Sequence, residues 1–392
     1  MTRGAKPAMV PLRELVRPAG RRAGSNTDLP VYSVTKHAGF VPSLEYFKKQ
    51  VFSRDVEGYK LVEPGEFAYA TIHLDEGSVG IAPERALISP MYTVFAADSA
   101  HINANYLIRY LKSPRALAHY PQLGKGAIHR RKAISLESLG ALPVPLPSLD
   151  EQRRIAAILD HTDTLRTKRR QTLTHLDTLP QAIFHQMFDG DPATTTVADI
   201  ATSERASIRT GPFGSQLKHG EFVDAGVAVL GLDNVVGNQF SWGQRRFIST
   251  EKYEQLRRYT VFPGDVLISI MGTTGRCVIV PDGIPTAINT KHICAITPDP
   301  RVMDPHVLRA CFLWHPEARA HLRRQTKGSI MDGLNMEIIK SMPLPVPSTS
   351  AQQTFRARMS NLAREAEHLR KSDSQSGYLF ASLQTRAFKG EL

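Results

Sequence analysis

Hydrophobic and polar positions along this chain follow two kinds of period. Short β-type runs at Val31–Thr35, Phe67–Ile72, Gly226–Leu232, Asp265–Ile270 and Cys277–Val280 are bounded by Gly, Pro or Asp and predict strands. Helical spacing is predicted over Asn105–Lys112 and His306–Arg324. Two longer stretches repeat every seven residues. The first sets Ile155, Thr162, Arg169, Leu176 and Ile183 on one line, with Ile158, Leu165 and Leu179 interleaved. The second sets Phe355, Leu362, Leu369, Ser376 and Leu383 on one line. Apolar seams of this period predict two long helices of the coiled-coil kind. Ahead of them, Ser148-x-x-Glu151 and Thr349-x-x-Gln352 read as capping boxes. The alternating prolines Pro143–Pro147 and Pro343–Pro347 cannot extend a helix and predict an extended entry. Pro180 inside the first pattern predicts a kink or break.

The two patterns belong to a duplication. Residues 143–148 read PVPLPS and residues 343–348 read PLPVPS, 200 positions later. The same offset joins Gln152 to Gln352, Leu179 to Leu379, Ile183 to Leu383, Phe188 to Phe388 and Gly190 to Gly390. Upstream, Lys125–Ile128 matches Lys327–Ile330, and Glu63-Pro-Gly-Glu66 faces Phe262-Pro-Gly-Asp265. A repeat this long is a whole module, not a solenoid unit. The class is α+β, with the chain divided into a mixed part at 1–147, a long helix at 148–190, a second mixed part at 191–347 and a second long helix at 348–392. The helices either pair antiparallel and hold the mixed parts apart, or each packs on its own mixed part. A helix of this length spans ~50 to 60 Å, against ~34 to 36 Å for one turn of DNA.

Charge adds a partner class. The 392 residues carry 49 Lys+Arg against 37 Asp+Glu, a net charge of +12, which favours nucleic acid or an anionic membrane surface. With 42% hydrophobic and 22% charged residues the chain reads as globular, excluding collagen, disorder throughout and a disulfide scaffold. No apolar run approaches the ~18 residues of a membrane span, and Met1–Gly24 lacks the apolar core of a secretory signal. Cys277, Cys294 and Cys311 have no CxxC spacing; they read as reduced core thiols of a cytoplasmic protein and not as a zinc site.

Catalytic signatures are missing from the sequence: no phosphate loop, no dinucleotide fingerprint, no His-Glu-x-x-His, no Asn/Asp-Pro-Pro-Tyr/Phe. His37 and His292 stand beside lysines without a carboxylate motif, and Glu365 and Glu367 read as a solvated helix face. Gly272-Thr-Thr-Gly275 lies between two strand-like runs and reads as a hairpin or loop. Between Asp98 and Glu137 there is no acidic residue, while Arg109, Lys112, Arg115, Lys125, Arg130, Arg131 and Lys132 are all basic. The second copy holds Arg309, Arg319, Arg323, Arg324 and Lys327, diluted by Glu317 and Asp332. Basic residues on a helix followed by a Lys-Gly loop suit phosphate contacts, or form a solvated basic face. Arg209–Lys218 opens the second copy with glycines and the donors Ser215, Gln216 and Lys218, either a close-approach loop or a plain turn.

These residues resemble the specificity (S) subunit of type I restriction–modification enzymes. The resemblance rests on Gly211-Pro-Phe-Gly-Ser-x-Leu-Lys218, Pro263-Gly-Asp-Val-Leu-Ile-Ser269, Asn289-Thr-Lys291 and the Lys-Gly pairs at 125 and 327. It rests further on Pro143-x-Pro-x-Pro-x-x-x-Glu151-Gln-x-x-Ile155, Leu176-Asp-x-Leu179, Phe188-x-Gly190 and Phe388–Leu392. Copy one has Tyr32–Gly39 in place of the Gly-Pro-Phe-Gly opening, and copy two has Ser350-Ala-Gln-Gln353 where Leu-x-Glu-Gln is usual, leaving its helix start open. The resemblance implies two tandem α/β target-recognition domains separated by two long conserved helices pairing as an antiparallel coiled coil. Each domain would read one half of a bipartite, asymmetric double-stranded DNA site, and the helices would set the spacer. The implied partners are two methyltransferase subunits and a restriction/translocase subunit, which would carry S-adenosylmethionine, ATP and Mg; this chain would bind no cofactor or metal and catalyse nothing. Base contacts are expected around Lys36, His37, Gln216, Lys218 and Arg276; Thr273, Thr274 and Lys291 join the DNA-contact set with the basic residues above. The rival readings are a DNA methyltransferase or nuclease with unrecognised motifs, and a scaffold whose helices bind a protein partner.

Overall fold

The computed structural model describes residues 7–25, 28–124, 133–203, 206–326 and 333–392. The chain forms two compact units, Met1–Gln171 with Lys371–Leu392, and Thr172–Arg370. Each contains one mixed part, the start of the long helix that follows it, and the end of the other copy's long helix.

The mixed parts share one topology. In the first unit a four-stranded antiparallel sheet runs Val16–Pro18, Tyr92–Ala97, Phe67–Ala70, Val79–Ile81. In the second the order is Ile208–Thr210, Ile293–Ile296, Val266–Ser269, Cys277–Ile279, again antiparallel. A further sheet in each unit has one parallel pair between antiparallel ones. In the first unit Lys60–Val62, Ala86–Ile88, Val31–Thr35 and Gly39–Pro42 lie in that order, with Arg21–Arg22 added at the edge. In the second unit Thr260–Val261, Ala287–Asn289, Val227–Leu230 and Phe247–Ile248 repeat it. All five predicted strands are present, each within the limits set by its flanking turn residues.

Local chemistry explains the equivalence. Both central strands are launched by a Pro-Gly turn: the Glu66 amide donates to the Glu63 carbonyl at 3.1 Å, and the Asp265 amide to that of Phe262 at 3.0 Å. Gly65 and Gly264 stand at φ 86° and 84°, the left-handed position that the residue after Pro takes in a type II turn. The predicted helix His306–Arg324 is two helices, Pro305–Trp314 and Pro316–Thr326, because Pro316 lacks the amide to continue the first and starts the second. Its counterpart is likewise split into Ala104–Leu111 and Pro114–Leu123.

The long helices run Leu149–Phe188, 40 residues, and Thr349–Ala387, 39 residues. The first runs on through Pro180 as one helix, so of the kink or break expected there the break does not occur. Ser148 and Ser348 cap them, accepting from the amides of Glu151 at 3.4 Å and Ala351 at 3.3 Å. Thr349 is thus the first helical residue and not the cap. Glu151 does not close a capping box; its carboxylate takes two bonds from Arg154. Gln152 and Gln352 are buried and do the same work 200 residues apart. Gln152 accepts from the Asn103 amide and donates to the carbonyls of His101 and Pro147. Gln352 accepts from the Asp304 amide and donates to those of Val302 and Pro347. Each therefore ties a long helix to the loop ahead of the short helix in its own mixed part.

Within each unit the two helices pair antiparallel. In the first, Arg154 donates to the Leu392 carbonyl at 2.9 Å, Arg166 lies 4.5 Å over the Phe380 ring, Arg169 bonds Ser376, and Arg170 meets Asp373 at 3.6 Å. In the second, Arg370 meets Asp177 at 3.0 Å and Phe184 and Phe188 pack on Phe355. The seam is not a continuous apolar ladder. Ile155 and Phe355 are buried, and Ile158, Leu176, Ile183, Leu362, Leu369 and Leu383 are half-buried. Leu165 and Leu179, expected in the seam, are exposed at 47% and 39%. A straight helix drifts ~20° per heptad, so the inward positions pass to Leu159, Phe184 and Phe188, with arginines between them.

Candidate nucleic-acid interface

Binding a polyanion calls for exposed cations and donors on irregular segments held by a rigid frame. In the first unit Lys36 and His37 are exposed at the turn between strands Val31–Thr35 and Gly39–Pro42. Lys112, half-buried below them, donates to the Lys36 carbonyl at 3.4 Å. Burial, and then the Arg109 charge beside it, lowers the Lys112 pKa.

Arg109, one of the expected DNA contacts, is engaged within the chain. Its Nε donates to Asp160 at 2.7 Å and its Nη1 to Asp163 at 2.8 Å. Burial opposes its charge, but the two carboxylates outweigh that and raise its pKa. The guanidinium clamps helix Ala104–Leu111 to the central helix. Its counterpart Arg309 has Ser360 and Ala363 where those carboxylates would stand. It instead donates to the carbonyls of Cys277 at 3.2 Å and Asn238 at 2.5 Å. Arg115 is similarly committed, to the Phe388 carbonyl at 2.9 Å.

The opening of the second unit combines a buried anchor with an exposed rim. Arg209 pairs with the fully buried Asp265 and donates to the Thr260 carbonyl and Thr297 hydroxyl, each at 2.9 Å. Asp265 also accepts from Thr297 at 2.6 Å and the Phe262 amide at 2.8 Å. Burial lifts the Asp265 pKa, against the opposing pull of Arg209 and these donors. Sequence reasoning missed this pair: the partners lie 56 residues apart and each sits in a motif read for other reasons. Gly211 runs so close to the strand end that a Cβ there would sit 2.0 Å from the Asn289 carbonyl oxygen. Gly211→Ala is expected to cost ~1–3 kcal/mol in urea denaturation, because backbone, not a movable side chain, occupies that space. Beyond it Ser215, Gln216 and Lys218 are exposed. Gln216 accepts from the Phe213 amide at 3.2 Å and the Tyr259 hydroxyl at 2.9 Å, which fixes its carbonyl and orients the side chain.

Thr273, Thr274 and Arg276 lie on the hairpin joining Val266–Ser269 to Cys277–Ile279, where the glycine-rich run was predicted to form a hairpin or loop. Ser269 secures it: its Oγ accepts from the Arg276 amide at 2.9 Å and donates to the Thr273 carbonyl. Arg323 and Arg324 are exposed on helix Pro316–Thr326, and Lys291 is half-buried in the turn before Ile293–Ile296. The hairpin and that helix enclose a polar cleft of 660 Å³ lined by Arg276, Arg319, Arg323, Trp314, Gln181 and Asn238 among others. Trp314 was not singled out from the sequence, and Arg319 was named there only as one of a basic run; the helix break at Pro316 that brings them to the cleft was not visible. Lys125, Arg130, Arg131 and Lys327 lie outside the described residues.

Cys277, Cys294 and Cys311 are free and buried, and burial pushes the first two thiols up to about 12 and the third upward as well. Among the described residues, no group of three His, Cys, Asp or Glu side chains could hold a metal ion, and no helix is long and apolar enough to cross a membrane.

Comparison with known proteins gives a consistent result. The family model described as the type I restriction modification DNA specificity domain matches residues 51–175 and 232–374. The type I restriction enzyme EcoBI specificity subunit of Escherichia coli is 24% identical over 297 residues, 67% of this chain and 60% of that protein, so the match spans under two thirds of that relative. Two solved structures share the fold. One comes from work on complex assembly and conformational transition of a type I restriction–modification system, with TM-score 0.63, 12% identity and full coverage of both chains. The other is the type I restriction–modification S subunit from M. genitalium, with TM-score 0.57, 13% identity and coverage of 97% of this chain and 96% of that one.

Proposed function

Because the chain belongs to the type I restriction–modification DNA specificity family, we propose that it is the sequence-reading subunit of such a complex. Each mixed part reads one half of a split, asymmetric site in double-stranded DNA. The observation that carries this reading is the repetition of one strand order in both units while the exposed turns that decorate it differ. A common frame with unlike contact side chains suits two different half-sites. Lys36 and His37 in the first unit, and Ser215, Gln216, Lys218, Thr273, Thr274, Arg276 and Lys291 in the second, are the contacts we assign. Each bidentate base contact would discriminate by ~1–3 kcal/mol, while phosphate contacts add affinity without sequence information.

The paired helices set the unspecified gap and dock two methyltransferase subunits, with a restriction/translocase subunit completing the assembly. S-adenosylmethionine, ATP and Mg belong to those partners, and this chain reads DNA without catalysing a reaction, in the cytoplasm. The net charge of +12 supports a nucleic-acid partner. The test is single-molecule methylome sequencing of the host with and without this gene. Loss of methylation at one split motif with a fixed gap is expected. An unchanged methylome, or S-adenosylmethionine binding and methyl transfer by the purified chain alone, would overturn the proposal.

A further inference from the structure

The two units differ where the second short helix meets the hairpin of the four-stranded sheet. In the first unit this junction is closed and apolar. The hairpin contains a short 3-10 turn, Leu74–Glu76, whose Leu74 is fully buried with Ala116 and Tyr120 of helix Pro114–Leu123. Leu117 of the same helix covers Gly77. Asp75 and Glu76 are exposed on the outer side.

In the second unit the same junction is open and cationic. No leucine wedge is present; Thr273 and Thr274 occupy the hairpin. Counted from the two helix starts, Arg319 stands where Leu117 stands, and Arg323 where Pro121 stands. With Arg276 from the hairpin they give the 660 Å³ cleft three guanidinium groups, and no described Asp or Glu lines it. Its walls are fixed in advance. Asn238 accepts from the Cys277 amide at 3.0 Å through its side chain and from Arg309 through its carbonyl. It holds φ 55°, the one positive φ at a non-glycine position among the described residues. Such a backbone persists where its surroundings over-determine it. Trp314 packs on Phe184 with ring centroids 5.8 Å apart.

Resting on the DNA-reading function proposed above, we infer that this cleft binds phosphodiester groups of the DNA backbone beside the half-site read by the second unit. Guanidinium forks match phosphate oxygens in pairs. A rigid polar cleft with several such forks suits an anion of high charge density. Among the described residues of the first unit, Leu74 and Leu117 fill the corresponding junction.

The test uses the full chain co-purified with its methyltransferase partner, and duplexes carrying the motif found by methylome sequencing. Arg319→Ala, Arg323→Ala and the double alanine variant are compared with Arg319→Lys/Arg323→Lys, which keeps the charge and guards against misfolding. The alanine variants are expected to lose about tenfold in affinity per site contact and to flatten the log affinity–log salt slope by about one for each phosphate lost. Discrimination against altered bases should be unchanged, and ethylation of backbone phosphates beside one half-site should weaken the wild type alone. The lysine variant should retain most of the slope. An unaltered slope, lost base discrimination, or loss of the methyltransferase partner with DNA affinity intact would each overturn the inference. The last result would reassign the cleft to an acidic protein segment. Equal weakening of wild-type binding by inorganic phosphate and by competitor duplex at equal phosphate concentration would point to a free-anion site and also count against it. If the wild-type complex directs no split-site methylation, the function proposed above fails first and on separate grounds.

Discussion

Arg209→Met is expected to destabilise the second unit by about 3–5 kcal/mol, because it strands a buried carboxylate. Asp265 has no exposed side-chain surface, and after the change only Thr297 and the Phe262 amide favour its ionised form. The sign with pH follows from burial, which raises the Asp265 pKa. A carboxyl whose folded pKa lies above its unfolded one costs stability when ionised, and the cost is relieved as pH falls through the folded value. The variant's deficit should therefore shrink on acidification, measured by urea denaturation at several pH values. Adding Asp265→Leu should restore much of the loss, since removing both charges avoids the stranded one. A deficit under ~1 kcal/mol would show that the pair is not holding the Pro263-Gly-Asp turn to the opening strand.

Phe388→Ala should cost the first unit about 3–5 kcal/mol. Phe388 is 2% exposed and meets Tyr106 and Tyr110 edge-on, with ring centroids 5.5 and 5.1 Å away. Those tyrosines donate to the carbonyls of Pro145 and Pro143, so the loss spreads to the proline-rich strand at the foot of the central helix. Hydrogen exchange should rise in Ala104–Leu111 and Pro143–Leu146 and stay unchanged in Val266–Ser269 of the second unit. Protection lost equally in both units would mean that they unfold as one body.

The parts legible in the sequence are those that both copies kept. Pro143 and Pro343, Gln152 and Gln352, and Phe188 and Phe388 could be matched because each pair performs one structural task twice. The strands of the first mixed part were legible only as weak analogues of those in the second, since Val31–Thr35 and Val227–Leu230 occupy one topological position with little shared sequence. Leu165 and Leu179 were misplaced for a geometric reason. A strict count of seven holds only where two helices supercoil on an apolar line, and here Arg166, Arg169 and Arg170 meet Ser376, Asp373 and the Phe380 ring instead. Arg109 carried no sign that its charge was already answered, because Asp160 and Asp163 lie some 50 residues on, across a change of element. The cleft was legible only in fragments, as arginines without the helix break that gathers them.

The helix that begins in one unit ends in the other, so each unit takes the end of a helix that starts elsewhere. In the second unit Phe188 leads through Gly190 directly into strand Thr195–Thr196. In the first unit Phe388 leads through Gly390 to the side of Pro7, so near that a Cβ on Gly390 would lie 2.6 Å from the proline Cδ. From Pro7 the chain enters strand Ala8–Pro11, the counterpart of Thr195–Thr196. One joint is covalent and the other is only a contact, yet both bring the same elements together. Each unit therefore closes the same corner, a helix end, a glycine and a short strand, whether or not the backbone is continuous through it.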